Sequence, residues 1–151
     1  MNKEFIEIFT DGACQGNPGP GGWAVLLRYG KHEKEISGAE PMTTNNRMEL
    51  MAAIRGIEAV QKLIPILLYT DSQYVKKGME EWLQGWKKNG WKNAQKKEVK
   101  NQDLWEQLDS LAQCHQITWK WVRGHAGHTE NERVDQLARA AISQLESNID
   151  L

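Results

Sequence analysis

The sequence has little cysteine and no long apolar run, and each shortage removes a class of protein. Cys14 and Cys114 stand a hundred positions apart with no CxxC spacing. They offer neither a zinc pattern nor a secreted disulfide framework, which points to a reducing compartment. No apolar stretch approaches the roughly 18 residues of a membrane span, and the N-terminus lacks a signal-peptide core. A soluble cytoplasmic protein with no membrane partner is expected. Charge of one sign is lacking too, with 19 basic against 20 acidic residues and a net of −1. Taken whole, that balance argues against a nucleic-acid partner. The 151 residues suit one domain, 1–151. Such a chain buries roughly 68–70% of its unfolded surface without help from disulfides or structural metal.

Apolar periodicity then orders the chain. Strands are expected over 5–10, 23–29, 32–37, 66–70 and 117–122. The Gly/Pro cluster over 16–22 reads as a turn, and Gly30-Lys31 as a hairpin. Helices are expected from Asn46, over about 72–80, 82–88 and 103–113, and from Thr129, whose Thr129-Glu130-Asn131-Glu132 resembles a capping box. A hairpin run followed by β–α alternation predicts an α/β protein with one mixed sheet covered by helices.

Only six aspartates occur, and folding alone does not explain three of them. Asp11 and Asp71 each follow an expected buried strand, and ligands of open α/β sheets bind beyond strand carboxyl ends. If the two strands are neighbours, the carboxylates converge. Glu49 lies one turn into the first long helix, and Asp135 sits in the last helix, where aspartate is a poor interior residue. Acids brought together would repel unless a cation neutralised them, and all-oxygen ligation favours Mg²⁺ or Mn²⁺ over zinc. Read singly, three of the four have plainer roles. Asp71 fits an N-cap, Asn46 to Glu49 a capping box with Asn46 as cap, and Asp11-Gly12 a turn.

Longer motifs extend these positions. They are Thr10-Asp11-Gly12-Ala13-Cys14, Asn17-Pro18-Gly19-Pro20-Gly21-Gly22, Thr43-Thr44-Asn45-Asn46-Arg47-Met48-Glu49-Leu50, Thr70-Asp71-Ser72-Gln73-Tyr74, Gly124-His125-Ala126-Gly127-His128 and Asn131-Glu132-Arg133-Val134-Asp135. In order and spacing, from about residue 3 to 143, the chain resembles bacterial ribonuclease HI.

The resemblance implies an RNase H-like fold, a five-stranded mixed sheet with helices on both faces. It implies hydrolysis of the RNA strand of an RNA–DNA hybrid to 5′-phosphate and 3′-hydroxyl ends by a monomer. Asp11, Glu49, Asp71 and Asp135 match the family's metal-binding carboxylates. By resemblance they hold two Mg²⁺ ions, with Mn²⁺ a possible substitute. Asp11 would bridge both ions, Asp135 would help hold the one that activates water, and Glu49 and Asp71 would complete the other. His125 would move protons or help release product; read alone, it is also an ordinary loop histidine. Asn17, Asn45, Asn46 and Gln73 resemble contacts to the hybrid's minor groove, where amides can both donate to and accept from a 2′-hydroxyl. Caps and turns explain the three asparagines as well. The glycines at 16–22 are no phosphate-cradling loop, because they lack Gly-Lys-Ser/Thr and lead into a strand.

Between Lys76 and Lys100, eight lysines meet three glutamates, a local net of +5. Trp82, Trp86 and Trp91 interleave with Lys87, Lys88 and Lys92, a pairing suited to phosphates and sugars or bases. The segment resembles the family's basic protrusion, which grips the DNA strand; tryptophans in a core beneath a solvated lysine face are the plainer alternative. The remaining residues carry −6, so the near-zero total conceals a basic grip and an acidic site. Two rivals share these features: a hybrid-binding module without catalysis, and a DNA nuclease of the same superfold.

Overall fold

Alternation along β1 (Ile6–Cys14) decides which helix covers which side of the sheet. Ile6 and Ile8 enter one apolar cluster with Leu50, Ile54 and Ile57 of α1 (Asn45–Glu58). Phe9, of opposite parity, joins Val134 and Ala138 of α5 (Thr129–Ile149) in a second. The computed structural model describes residues 4–123 and 129–149. Its five strands run β3 (His32–Thr43), β2 (Gly19–Tyr29), β1, β4 (Ile66–Thr70) and β5 (Ile117–Trp121) across one sheet. The β3–β2–β1 pairings are antiparallel and the β1–β4–β5 pairings parallel. This is the expected five-stranded mixed sheet, with helices on both faces.

The glycine run departs from expectation. The strand expected to end at Thr10 continues through Asp11-Gly12 to Cys14, and β2 already begins at Gly19. Only the link between them turns, with Gly16 at φ +62. Gly21 and Gly22 pair with Cys14 and Ala13 inside the sheet. A Cβ on Gly22 would stand 2.2 Å from the Ala138 carbonyl, and one on Gly21 2.4 Å from Thr43. These glycines admit neighbouring backbone and side chains, which composition cannot tell from a turn. β3 likewise runs past residue 37 to Thr43, because an exposed polar edge strand shows no apolar alternation.

The helix starts shift by small but informative amounts. Thr44, not Asn46, caps α1, its hydroxyl accepting from the Arg47 N–H at 3.2 Å. Ser72, not Asp71, caps α2 (Gln73–Lys77), accepting from the Val75 N–H at 3.1 Å. The two helical segments expected between 72 and 88 abut as α2, a π-helical turn over Gly78–Trp82, and α3 (Leu83–Lys88). At Gly78 a Cβ would meet the buried Trp105 ring of α4 (Gln102–Cys114) at 1.9 Å, so this residue sets how closely the two pack. Among the described residues, no helix is long and apolar enough to cross a membrane.

Candidate active site

The β1–β4 pairing ends at Phe9–Tyr69, while β1 runs on with β2 alone. Two residues beyond that pair, Asp11 within β1 and Asp71 just past the end of β4 flank the crevice that this parting opens. Gly12 then lets α1 approach: a Cβ there would lie 2.6 Å from the Glu49 backbone nitrogen. The Gly12 N–H donates to Glu49 Oε1 at 3.1 Å and to Asp11 Oδ1 at 2.9 Å. Carboxylate oxygens of Asp11, Glu49 and Asp71 thereby lie within 4.8 Å of one another. Asp135, from α5 on the other side of the sheet, lines the same cleft of about 390 Å³. Its carboxylate accepts a hydrogen bond from Arg139, one helical turn on.

Electrostatics make this cluster costly without a counter-charge. Burial, reinforced by the charges of Asp71 and Asp135, pushes the Asp11 carboxyl up to about 7. Burial and the neighbouring Asp11 and Asp71 hold Glu49 well above the usual carboxylate range. Glu49 Oε2 is buried with no hydrogen-bond partner. Three clustered carboxylates, one with a buried oxygen that lacks a hydrogen-bond partner, are suited to a hard divalent cation, which would satisfy oxygen ligands and offset their charge. The donor set therefore fits a divalent metal ion.

The remaining nominated residues divide by position. Asn45, Asn46 and Gln73 line the cleft and are exposed. Asn17 stands back from it, its Oδ1 accepting from the Asn45 N–H at 2.9 Å, so it supports the start of α1. His125 lies outside the described residues. Trp82, Trp86 and Trp91 are half-buried, with Trp86 centred 5.7 Å from Trp82, 6.4 Å from Trp91 and 5.5 Å from Trp105. They are both the packing core of the basic segment and part of its surface. Lys87, Lys88 and Lys92 are exposed, and Lys87 pairs with Asp109 at 3.2 Å.

Sequence reasoning missed three contributors. Tyr74 lines the cleft, and its hydroxyl accepts from Trp105 Nε1 at 2.9 Å and Asn101 Nδ2 at 3.0 Å. Arg47 grips Asp103 through two bonds of 2.8 and 3.0 Å and reaches Asn101 Oδ1 at 3.2 Å, tying α1 to α4. Arg139 was legible only as a basic residue four positions after an acid.

The RNase H family model matches residues 3–143. A Ribonuclease H of Halorhodospira halophila is 64% identical over 143 residues, covering 95% of this chain and 96% of that protein. A Ribonuclease HI of Neisseria meningitidis serogroup B is 58% identical over 142 residues, covering 94% and 98%. Among solved structures, LC9-RNase H1, a type 1 RNase H with the type 2 active-site motif, superposes with a TM-score of 0.82. It is 33% identical, over 95% of this chain and 74% of that one. LC11-RNase H1 in complex with RNA/DNA hybrid shares the fold at a TM-score of 0.72 and 23% identity, over 93% of this chain and 98% of that one. Sequence likeness over nearly the whole length and likeness of fold agree: the chain belongs to the RNase H family.

Proposed function

We propose that this ribonuclease H cleaves the RNA strand of RNA–DNA hybrids, using Asp11, Glu49, Asp71 and Asp135 to hold two Mg²⁺ ions. The observation that carries the reading is that Asp11, Glu49 and Asp71, two of them buried, bring carboxylate oxygens within 4.8 Å of one another. Bound by these carboxylates, divalent ions would supply an activated water and neutralise charge on the leaving oxygen of a displacement at phosphorus. Mn²⁺ presents similar hard coordination and is a substitute.

The chain's own residues supply the rest. Gly12 N–H fixes the rotamers of Asp11 and Glu49, so both carboxylates are oriented before a cation arrives. Asn45, Asn46 and Gln73 on the cleft wall read the minor groove, where the 2′-hydroxyl distinguishes RNA from DNA. Asn17 acts on the same contact through the α1 terminus it supports. The segment bearing Trp82, Trp86, Lys87, Lys88, Trp91 and Lys92 takes the DNA strand by charge and ring packing. His125, in the family motif, moves a proton or aids release of the 5′-phosphate and 3′-hydroxyl products. A single domain acting as a cytoplasmic monomer completes the proposal, in keeping with free Cys14 and Cys114.

Labelled hybrid, duplex RNA and duplex DNA incubated in parallel, with Mg²⁺ and with EDTA, test this. The expected result is metal-dependent cleavage of RNA in the hybrid alone, abolished by Asp11→Asn. Binding without cleavage would favour a hybrid-binding module, and cleavage of duplex or branched DNA a DNA nuclease.

A further inference from the structure

We propose that Arg139 is a positioning residue that occupies Asp135 in the metal-free site and competes with a divalent cation for that carboxylate. The inference rests on the metal-binding reading of the cleft. Asp11, Glu49 and Asp71 bring oxygens together within 4.8 Å. Asp135 lines the same cleft but stays outside that group, engaged by the Arg139 guanidinium from the next turn of α5. Among the described residues, this is the one salt bridge that reaches any of the four carboxylates.

The geometry gives the pair an asymmetric role. The Asp135 side chain is 23% exposed and turned to the cleft, whereas Arg139 is 65% exposed and reaches in from solvent. A guanidinium so exposed gives up its partner at little cost, because water rehydrates it at once. It therefore supplies positive charge to the acidic cleft when no metal is present and yields it when one is. A cation that takes Asp135 through Oδ2, the oxygen Arg139 holds, competes with this bond, while one held by Asp11, Glu49 and Asp71 does not. The two metal positions would then differ in affinity, with the Asp135-dependent one weaker.

Cation binding to the substrate-free full chain tests this, with Mn²⁺ followed by electron paramagnetic resonance and Mg²⁺ by calorimetry. Arg139→Gln is expected to tighten the weaker site roughly one-and-a-half- to twofold, the range an ion pair of this spacing can hold back. Arg139→Lys, which keeps the charge, should stay near wild-type affinity. In an Asp135→Asn background the Arg139→Gln effect should vanish. Unchanged or weaker binding by Arg139→Gln overturns the inference, since Arg139 would then be inert or would orient Asp135 for the metal. An effect that survives in Asp135→Asn also overturns it, by showing a general field. Wild type that binds no divalent cation overturns the metal reading itself and this inference with it.

Discussion

The backbone N–H of Gly12 donates to Glu49 Oε1 at 3.1 Å, joining the central strand to the first long helix across 37 positions of sequence. The contact exists because position 12 has no side chain. Gly12→Ala would push a methyl to 2.6 Å from the backbone of Met48 and Glu49, forcing α1 off the sheet. A loss of about 1–3 kcal/mol is expected from such overpacking. Urea unfolding would measure it, together with loss of cleavage in the refolded variant. Unaltered stability would mean that α1 can move aside freely.

Asp11 sets a pH dependence with a definite sign. Its carboxyl, ordinarily near 3.8, stays protonated in the folded chain up to about 7. Between those values the unfolded chain releases a proton that the folded chain keeps, so stability falls as pH rises and levels off above about 7. Asp11→Asn removes this loss. In EDTA at pH 8 it should be more stable than wild type by up to about 4 kcal/mol, with the gap closing toward pH 4. Chemical denaturation across that range is the measurement, and a gap that widens at low pH would sink the argument.

Cation binding opposes the same repulsion. Mg²⁺ at about a hundredfold excess over its dissociation constant should stabilise wild type by about 2.7 kcal/mol. Protons compete for Asp11 and Glu49, so affinity should weaken as pH drops below about 7. Thermal shifts with and without Mg²⁺ at pH 8 and pH 5.5 would show it. A shift of equal size at both pH values would place the cation elsewhere.

The lysines of the basic segment are not equivalent. All three are exposed, but Lys87 is paired with Asp109. Alanine at Lys88 or Lys92 should each lower the slope of log affinity for hybrid against log salt by roughly 0.7–0.9, and at Lys87 by less. Binding titrations with a catalytically inactive variant over a salt series would decide the order. Equal slopes for all three would remove the distinction.

Arg47 should matter for both stability and binding. Its two bonds to Asp103, with Asn101 and Tyr74 behind them, connect the helix carrying Asn45, Asn46 and Glu49 to α4. Arg47→Ala is expected to cost about 1 kcal/mol, with most of the coupling recovered in a double-mutant cycle with Asp103→Ala. Additive losses in that cycle would show that the pair does not act as a unit.

Much of the site was legible because chemistry and periodicity coincided. Asp11 and Asp71 follow short runs rich in β-branched and aromatic residues, and strands of that kind are buried whichever neighbours they find. Glu49 stood out as an acid one turn into the first long helix, and Asp135 as an aspartate in a helix interior, where it is a poor helix former. Caps were less legible, since Thr44, Asn45 and Asn46 are all plausible N-caps in sequence. The choice of Thr44 came from where β3 delivers the chain into α1. The tryptophans were ambiguous for a similar reason. A ring between lysines can face a ligand or another ring, and Trp86 lies 5.5 Å from Trp105, nineteen positions away.

The sequence by itself determined the inventory: the strand and helix periods, the acids at chosen points along them, and a basic segment hidden in a near-neutral total. Such features are local, resting on side-chain alternation and on charge counted over a short window. Tertiary structure alone decided the distances. That β1 parts from β4 after Phe9, that Gly12 and Gly22 admit helices, and that Asp135 reaches the cleft held by Arg139 all depend on register and close approach. The physical reason is that backbone contacts below 3 Å and coulombic coupling among buried carboxylates arise only when distant segments meet. Burial of Asp11 and Glu49 beside Asp71 then turns acids that water would keep apart into a site suited to a cation.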